Sequence, residues 1–418
     1  MRLFFTLVFP VILIGTVVIL IRGLAPPDSI RLATGINGGG YWEIGERYKS
    51  KLVRDGIAVE LVETAGSVEN IEKLVAGEVD VAIVQGGLDI PRDHDLQSLG
   101  AIFPEPLVIF RHTSAPIGSY PGQWKGIRLA AGGEGSGTRA AARALIKTAD
   151  LEDTGIELVE AGGSEAIEAL HTKEADALLF VSPLDAHYLT DAILDPDIVF
   201  VQMALVDALA LRFPGANSAL LPAGSVTLDP PRPPEEVKIM TLTASMIATG
   251  GVHPAVADRL AHAATKIHSD RTILRASREF PHTNSPPAPL NDVSWQFISS
   301  GPNILHDIFP FWIAAQFGRV LLFLLPLVFL APLLRAIPSL YVWYQKRRVW
   351  RHYQRIEALE TAFALSKDSD EIEAVSRELD EVALSLANLR LPLAYRQGAY
   401  DARLHIDHIR QEIMRRGS

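Results

Sequence analysis

Ile30-Arg31-Leu32-Ala33-Thr34-Gly35, followed by Asn37-Gly38-Gly39-Gly40, returns downstream as Ile127-Arg128-Leu129-Ala130-Ala131-Gly132, followed by Gly133, Gly135, Ser136 and Gly137. Each copy reads as a short strand that opens through a glycine turn into a helix. The likeness continues at a constant offset: Ile71, Glu72, Leu74, Glu78 and Asp80 match Ile167, Glu168, Leu170, Glu174 and Asp176. Each set then runs into a short apolar segment, Val81 to Val84 and Ala177 to Val181. A duplicated pattern of this kind predicts two similar α/β lobes facing one another, with a cleft lined by glycine turns and helix N-termini that suits a small anion.

Working outward, the first copy reads strand, helix, strand, helix, strand. Tyr41, Ile44, Tyr48 and Leu52 fall at helical spacing, residues 57–62 alternate as a strand, and Val68, Ile71, Leu74 and Val75 make one helix face behind Ser67. That order implies parallel pairing with ligand residues at the strands' carboxyl ends. The second copy repeats it over 127–131, 136–147, 156–160, 164–171 and 177–181. Residues 107–111 read as a crossing strand and 237–248 as a return strand into the first lobe. Residues 254–268 read as a helix on the outside of that lobe, and 286–289 as a linker.

Two apolar runs lie outside this pattern. Leu3 to Ile21 carries no charge and is flanked by Arg2 and Arg22, long enough at about 1.5 Å per residue to cross a bilayer. It is a membrane segment or a signal peptide. Pro26 after Gly23 and Ala25 disfavours cleavage, and without cysteine there is no lipoprotein anchor, so an uncleaved signal anchor over residues 1–27 is expected. Val320 to Leu334 is bracketed by Arg319 and Arg335, preceded by Phe309-Pro310-Phe311-Trp312 and followed by Tyr341, Trp343, Tyr344 and a basic run from Lys346 to Arg355. By the positive-inside rule the chain after it is cytoplasmic. A bacterial cytoplasmic (inner) membrane protein with both termini inside and residues 28–307 outside is the expected topology.

The charge distribution agrees. Residues 28–334 hold 23 Lys and Arg against 37 Asp and Glu, an acidic balance that argues against nucleic acid as a partner. The absence of cysteine excludes disulfides, thiol chemistry and Cys-ligated metals. Residues 308–344 are expected to form the interfacial segment and second span. Residues 345–418, with apolar residues at helical intervals (Ile356, Leu359, Phe363, then Val375, Leu379, Val382, Leu386) and a break at Pro392 and Gly398, fit a cytoplasmic helical hairpin or a coiled-coil dimer.

Three constellations carry the candidate chemistry. Thr34, Gly35, Gly39 and Tyr41 form the first, where glycines let backbone amides approach a ligand. Gly66-Ser67-Val68-Glu69-Asn70 is the second, a helix start that either caps itself or presents donors to a carboxylate, with Gln85 at the end of a buried strand beside it. Gly132 to Arg139 is the third. Its Gly132 and Gly137 have the spacing of a phosphate loop, but Thr138 stands where that loop requires lysine, so a nucleotide hydrolase is not expected. Ser136, Thr138 and Arg139 still start a helix as an anion cradle, with Arg139 either a bidentate clamp or an exposed first-turn residue.

Thr34-Gly35 with Gly38 to Tyr41, Gly66 to Asn70, Gln85, and Gly135-Ser136-Gly137-Thr138 together resemble the solute-receptor signature of the TAXI subgroup of TRAP transporters, over about residues 28–270. The resemblance implies a two-lobed, periplasmic-binding-protein-like (type II) α/β domain that closes on a small organic acid and presents it to an ion-coupled permease. It places lobe I at about 28–112 and 215–300 and lobe II at about 113–214. It implies ligand-binding roles for Tyr41, Ser67, Asn70, Gln85, Ser136 and Thr138; the residue reading adds Thr34, Gly39 and Arg139. One feature departs from the family: an ordinary receptor diffuses freely, and this chain reads as tethered at both ends.

The expected partners are a small organic acid, the membrane and TRAP-type permease subunits, and no cofactor or metal is expected. Enzyme activity is not expected either, since no histidine neighbours Ser67 or Ser136 in sequence, although a hydrolase with a distant triad partner is the chemical alternative. His405 and His408, three residues apart beside Asp401 and Asp407, are the nearest approach to a metal pair. A sensor read out through the cytoplasmic hairpin is the other alternative.

Overall fold

A computed structural model of the chain describes residues 15, 25–302, 305 and 308–417. It divides into two compact units, Met1–Phe317 and Gly318–Ser418. Strands β1 (Ser29–Ala33), β2 (Ala58–Val62) and β3 (Val81–Val84) alternate with helices α1 (Gly40–Leu52) and α2 (Ser67–Val75). The second copy gives β5 (Arg128–Ala130), α3 (Gly137–Thr148), β6 (Glu157–Val159), α4 (Gly163–His171) and β7 (Ala177–Val181). In both copies the first strand lies between the other two and pairs with them in parallel.

The duplication is realised down to one ion pair. Asp80 accepts from the Arg31 amide (2.7 Å) and its guanidinium (2.9 Å), and Asp176 accepts from the Arg128 amide and guanidinium at 2.8 Å each. In return the Asp80 and Asp176 amides donate to the carbonyls of Arg31 and Arg128. The pair therefore pins the first strand of each lobe to the start of its third. Burial works against the Asp80 carboxylate, yet the Arg31 contacts hold it below its ordinary range; the Arg128 hydrogen bond does the same for Asp176.

Between the copies lies β4 (Leu96–His112), and the return path supplies α5 (His187–Leu194), β8 (Ile198–Phe200), α6 (Val206–Arg212), β9 (Asn217–Leu221), the small ladder of β10 (Thr227–Leu228) with β11 (Pro231–Arg232), and β12 (Val237–Thr249). The two long strands run antiparallel, Leu96 to Leu107 beside Thr249 to Met240, with irregular register near Ala244 and Met246. Sheet order is β2-β1-β3-β12-β4-β7-β5-β6. The carboxyl half of β12 completes lobe I beside β3, and the carboxyl half of β4 completes lobe II beside β7. Helix α7 (Pro254–His268) covers lobe I, and Val256, Leu260 and Ala264 pack into the core with Ile44, Tyr48 and Met246. Lobe II is closed by Leu145, Leu179, Phe213 and Met240 on one face and Phe110, Leu178, Leu189 and Ile239 on the other.

β4 is much longer than the crossing strand predicted at 107–111. Pro104 and Pro106 hide it in sequence, since proline removes a ladder donor. β7 joins β4 only from Leu107 onward, so the prolines lie where that edge lacks a strand partner. Helices α5 and α6 and strand β9 were not anticipated either. Helices α8 (Asp292–Ser300) and α9 (Phe311–Ala314) follow the 286–289 linker.

The second unit holds α10 (Phe317–Leu365), α11 (Ser369–Ala387) and α12 (Arg396–Gly417). Ile356, Leu359 and Phe363 meet Val375, Leu379, Val382 and Leu386 and then Ala402, Ile406 and Ile409 in a core of its own. The helix-periodic stretch 345–389 is thus broken at 366–368, giving three packed helices in place of the expected hairpin. The run Leu3 to Ile21 lies outside the described residues. The run Val320 to Leu334 falls on the first part of α10, where the backbone is helical. Among the described residues no helix is long and apolar enough to cross a membrane.

Candidate functional site

Helix starts converge where the lobes meet. A cavity of about 660 Å³ is lined by the first residues of α1 (Gly40, Tyr41), of α3 (Gly137, Thr138) and of α4 (Gly163, Ser164). Each carries a share of the positive end of a helix dipole, which favours a negative ligand group. Hydroxyl and amide side chains of Ser67, Gln85, Ser136, Thr138 and Ser182 also line it, while Phe180 and Tyr188 supply aromatic wall. Glu160 and Glu165 stand on the lobe II side, so a purely anionic ligand must be held away from them.

Of the residues expected at the site, Gly39, Tyr41, Ser67, Gln85, Ser136 and Thr138 line this cavity. Thr34, Asn70 and Arg139 do not. Asn70 is wholly buried behind the wall, where its amide donates to the Thr34 carbonyl (2.6 Å) and the Ile83 carbonyl (2.8 Å) and its oxygen accepts from the Thr64 hydroxyl (2.7 Å). It ties the ends of β1 and β3 together. Arg139 folds back over its own loop, with Nε on Glu134 (2.8 Å) and a terminal nitrogen on the Gly132 carbonyl (3.1 Å). It shapes the cradle from behind. Ser136 caps α3 by accepting from the Arg139 amide.

The start of α2 has a different task from the one its sequence suggests. The Val68 and Glu69 amides, free first-turn donors in an isolated helix, both donate to the Gly135 carbonyl of the opposite lobe (3.1 and 3.3 Å). Gln85 adds a second tie across the lobes, donating to the Gly137 carbonyl at 3.1 Å. Glycine suits this approach. A Cβ on Gly137 would stand 2.6 Å from the Gln85 oxygen and 3.0 Å from the Ser67 hydroxyl, and Gly66, at φ +135°, brings its backbone against Ser136. At the rim, Arg47 to Asp185 (3.0 Å) and His187 to Glu43 (3.1 Å) also bridge the lobes.

Behind Tyr41 lies a group that no sequence pattern singles out. Glu105, between Pro104 and Pro106 on β4, is 0% exposed. One carboxyl oxygen accepts from the Tyr41 hydroxyl at 3.0 Å, and the other has no partner among the described residues. Burial pushes this carboxyl up to about 8, with the Tyr41 hydrogen bond pulling weakly the other way. Burial, then the nearby Glu105, also raises the Tyr41 phenol well above its ordinary value, and burial pushes Tyr188 up to about 12. Both tyrosines stay protonated, as hydrogen-bonding groups on the cleft wall.

Several wall residues were missed although a signal for some existed. The offset that maps Ile71 onto Ile167 also maps Gly66-Ser67 onto Gly162-Gly163, which start α4 at the cavity. Ser182 and Tyr188 follow the third strand of lobe II, as Gln85 follows that of lobe I. The Ser67 hydroxyl accepts from the Gln85 backbone amide and Ser136 from the Arg139 amide, and neither has a histidine partner among the described residues. Among those residues no group of three acidic or histidine side chains is placed to hold a metal, and His405 pairs with Glu360 at 3.2 Å.

A family model described as the NMT1-like family matches residues 32–271. No curated protein matches the chain. Among solved structures it is similar to the CcmR regulatory domain of Synechocystis PCC6803 in complex with 2-PG, at 16% identity and a TM-score of 0.38 over 57% of this chain and 98% of that one. It is also similar to the periplasmic aliphatic sulphonate binding protein SsuA from Escherichia coli (18%, TM-score 0.36, 57% and 73%) and to the GluR0 ligand-binding core from Nostoc punctiforme in complex with (L)-glutamate (17%, TM-score 0.38, 57% and 92%).

Proposed function

The chain belongs to the NMT1-like family, with a periplasmic-binding-protein-like fold of type II, and from that premise we propose that it is a receptor that closes on a small organic anion, an amino acid or other carboxylate, outside the cytoplasmic membrane. One observation carries the reading: three helix N-termini and a set of short hydroxyl and amide side chains surround one cavity of about 660 Å³ between two lobes. That volume lies within the usual range of small-molecule sites, roughly 300–1,000 Å³. Tyr41, Ser67, Gln85, Ser136 and Thr138 are its contacts, and Asn70, Thr34 and Arg139 support them. Ligand release is a parting of the lobes about β4 and β12.

The finer assignment is a TAXI-like receptor serving a TRAP-type permease, supported by the glycine-turn, Gly-Ser and Gly-Ser-Gly-Thr loops. Anchorage through residues 1–27 and 308–344, with both termini in the cytoplasm, is the reading that their apolar runs and basic flanks support. A second reading, a ligand sensor, draws on the second unit: a separately cored helical bundle is more than a membrane tether needs. Purification of the full chain in mild detergent separates the two, a retained permease supporting uptake and a retained cytoplasmic regulator supporting sensing.

Native mass spectrometry of the full chain, followed by calorimetry with the acid it releases, tests ligand binding itself. Gly133 lines the cavity and a Cβ there would meet nothing within 4 Å, so Gly133→Trp is expected to set its indole into the cleft. Affinity is expected to fall by about tenfold or more, the equivalent of about 1.4 kcal/mol, at an unchanged melting temperature. Full affinity in the tryptophan variant would move the ligand out of this cleft.

A further inference from the structure

Farther along α1 lies a second cavity between the lobes, of about 390 Å³, which shares Pro183 with the wall of the cleft. Its body is apolar, walled by Ile44, Phe103, Leu184, Val226 and Leu274. Its polar groups are unequal. Arg47 is committed to Asp185 at 3.0 Å. His268 is buried, hydrogen-bonds the Tyr48 hydroxyl at 3.1 Å, and is pushed down to about 3 by burial and by the nearby arginines, so it stays neutral. Arg275 is different. Half-buried in this wall, it donates its Nε to the Asp270 carbonyl (2.9 Å) and makes no ion pair among the described residues. The Ser225 hydroxyl on the same wall is buried and has no hydrogen-bond partner there either.

Asp185, Asp270 and Glu279 act on the Arg275 guanidinium only at a distance, and a half-buried guanidinium with no carboxylate in contact, like a buried hydroxyl without a partner, is costly unless something supplies acceptors. Both residues line one cavity, where Asp185 is already held by Arg47 and Thr190 and Thr272 are the other small polar groups, and one ligand group can answer both. We propose that this second cavity binds a small amphipathic anion, its carboxylate or sulfonate on Arg275 and Ser225 and its flat apolar body against Phe103 and Leu274. Because the walls come from both lobes, such an occupant bridges Ile44 of lobe I to Leu184 of lobe II and favours the arrangement in which they are close. The site is separate from the cleft, so its occupancy adjusts closure without competing for the cleft's own ligand.

Calorimetry of the full chain in detergent with 2-naphthoate, and with its neutral amide 2-naphthamide, tests this. The acid is expected to bind, the amide to bind at least tenfold more weakly, and Arg275→Met to lose about tenfold in affinity for the acid, as a charge-assisted hydrogen bond requires. Ser225→Val, which keeps the shape, is expected to lose severalfold, and thermal melting of both variants checks that they fold. Gly133→Trp in the cleft is expected to leave naphthoate binding unchanged. Absence of binding, equal binding of acid and amide, undiminished binding in Arg275→Met, or loss in Gly133→Trp would each overturn the proposal; the last result would put naphthoate in the cleft and leave the receptor reading standing.

Discussion

Replacing Asn70 with alanine is expected to destabilise the first unit by about 3 kcal/mol, because a wholly buried side chain that closes three hydrogen bonds is removed without replacement. The Ile83 carbonyl is left bare, and the Thr34 carbonyl keeps only a long contact with the Thr64 hydroxyl at 3.4 Å. Asn70→Asp sharpens the test. An aspartate oxygen in place of the donor nitrogen would face two carbonyls, so this near-isosteric change is expected to cost at least as much as alanine. Urea denaturation of the three proteins measures it. A cleft contact would behave otherwise, losing ligand affinity while the unfolding midpoint stayed in place.

Glu105→Gln carries the second large effect, and it depends on pH. In the unfolded chain this carboxyl ionises near its ordinary 4.5; in the folded protein it keeps its proton up to about 8. Since the folded pKa is the higher one, the folded state binds more protons between those values, and stability drains away as pH rises from 4.5 to 8. At 1.36 kcal/mol per unit the loss is on the order of 5 kcal/mol at most. Glutamine keeps the acceptor for Tyr41 and cannot ionise, so the variant gains on the wild type across that window and holds the gain above it. The difference between the two curves is the quantity to read. His268, held neutral by burial, gives a slope of the opposite sign as pH falls from 6.5 towards 3, and it cancels in the difference. Parallel stability curves from pH 5 to pH 9 would show that Glu105 does not keep its proton.

Much of the architecture was legible because duplication leaves a trace that survives in strand, turn and ion pair alike. Arg31 with Asp80 and Arg128 with Asp176 sit at matching places in both copies, and the structure joins each pair in the same way. The glycine turns were legible for a similar reason, since a close backbone approach leaves few other residue types available. Residue type alone could not tell a ligand contact from a brace. Asn70 and Gln85 are both amides near one helix, but Asn70 faces inward to two carbonyls of its own lobe and Gln85 faces the opposite one. At the position matching Asn70 the second lobe has Ala166, buried without polar need. The partner of the α2 amides was equally hidden, because Gly135 is far away in sequence and comes near only once both lobes exist. Glu105 escaped because an acid between two prolines belongs to no period, and its burial is set by strands from both ends of the domain.

The long antiparallel pair of β4 and β12 has an effect on how the first unit comes apart. Half of each ribbon is stitched into one lobe and half into the other, so neither lobe owns a complete sheet. Melting cannot consume one half and spare its neighbour. A calorimetric scan of residues 28–307 should therefore show a single peak, and cutting the chain within either ribbon should cost both halves at once.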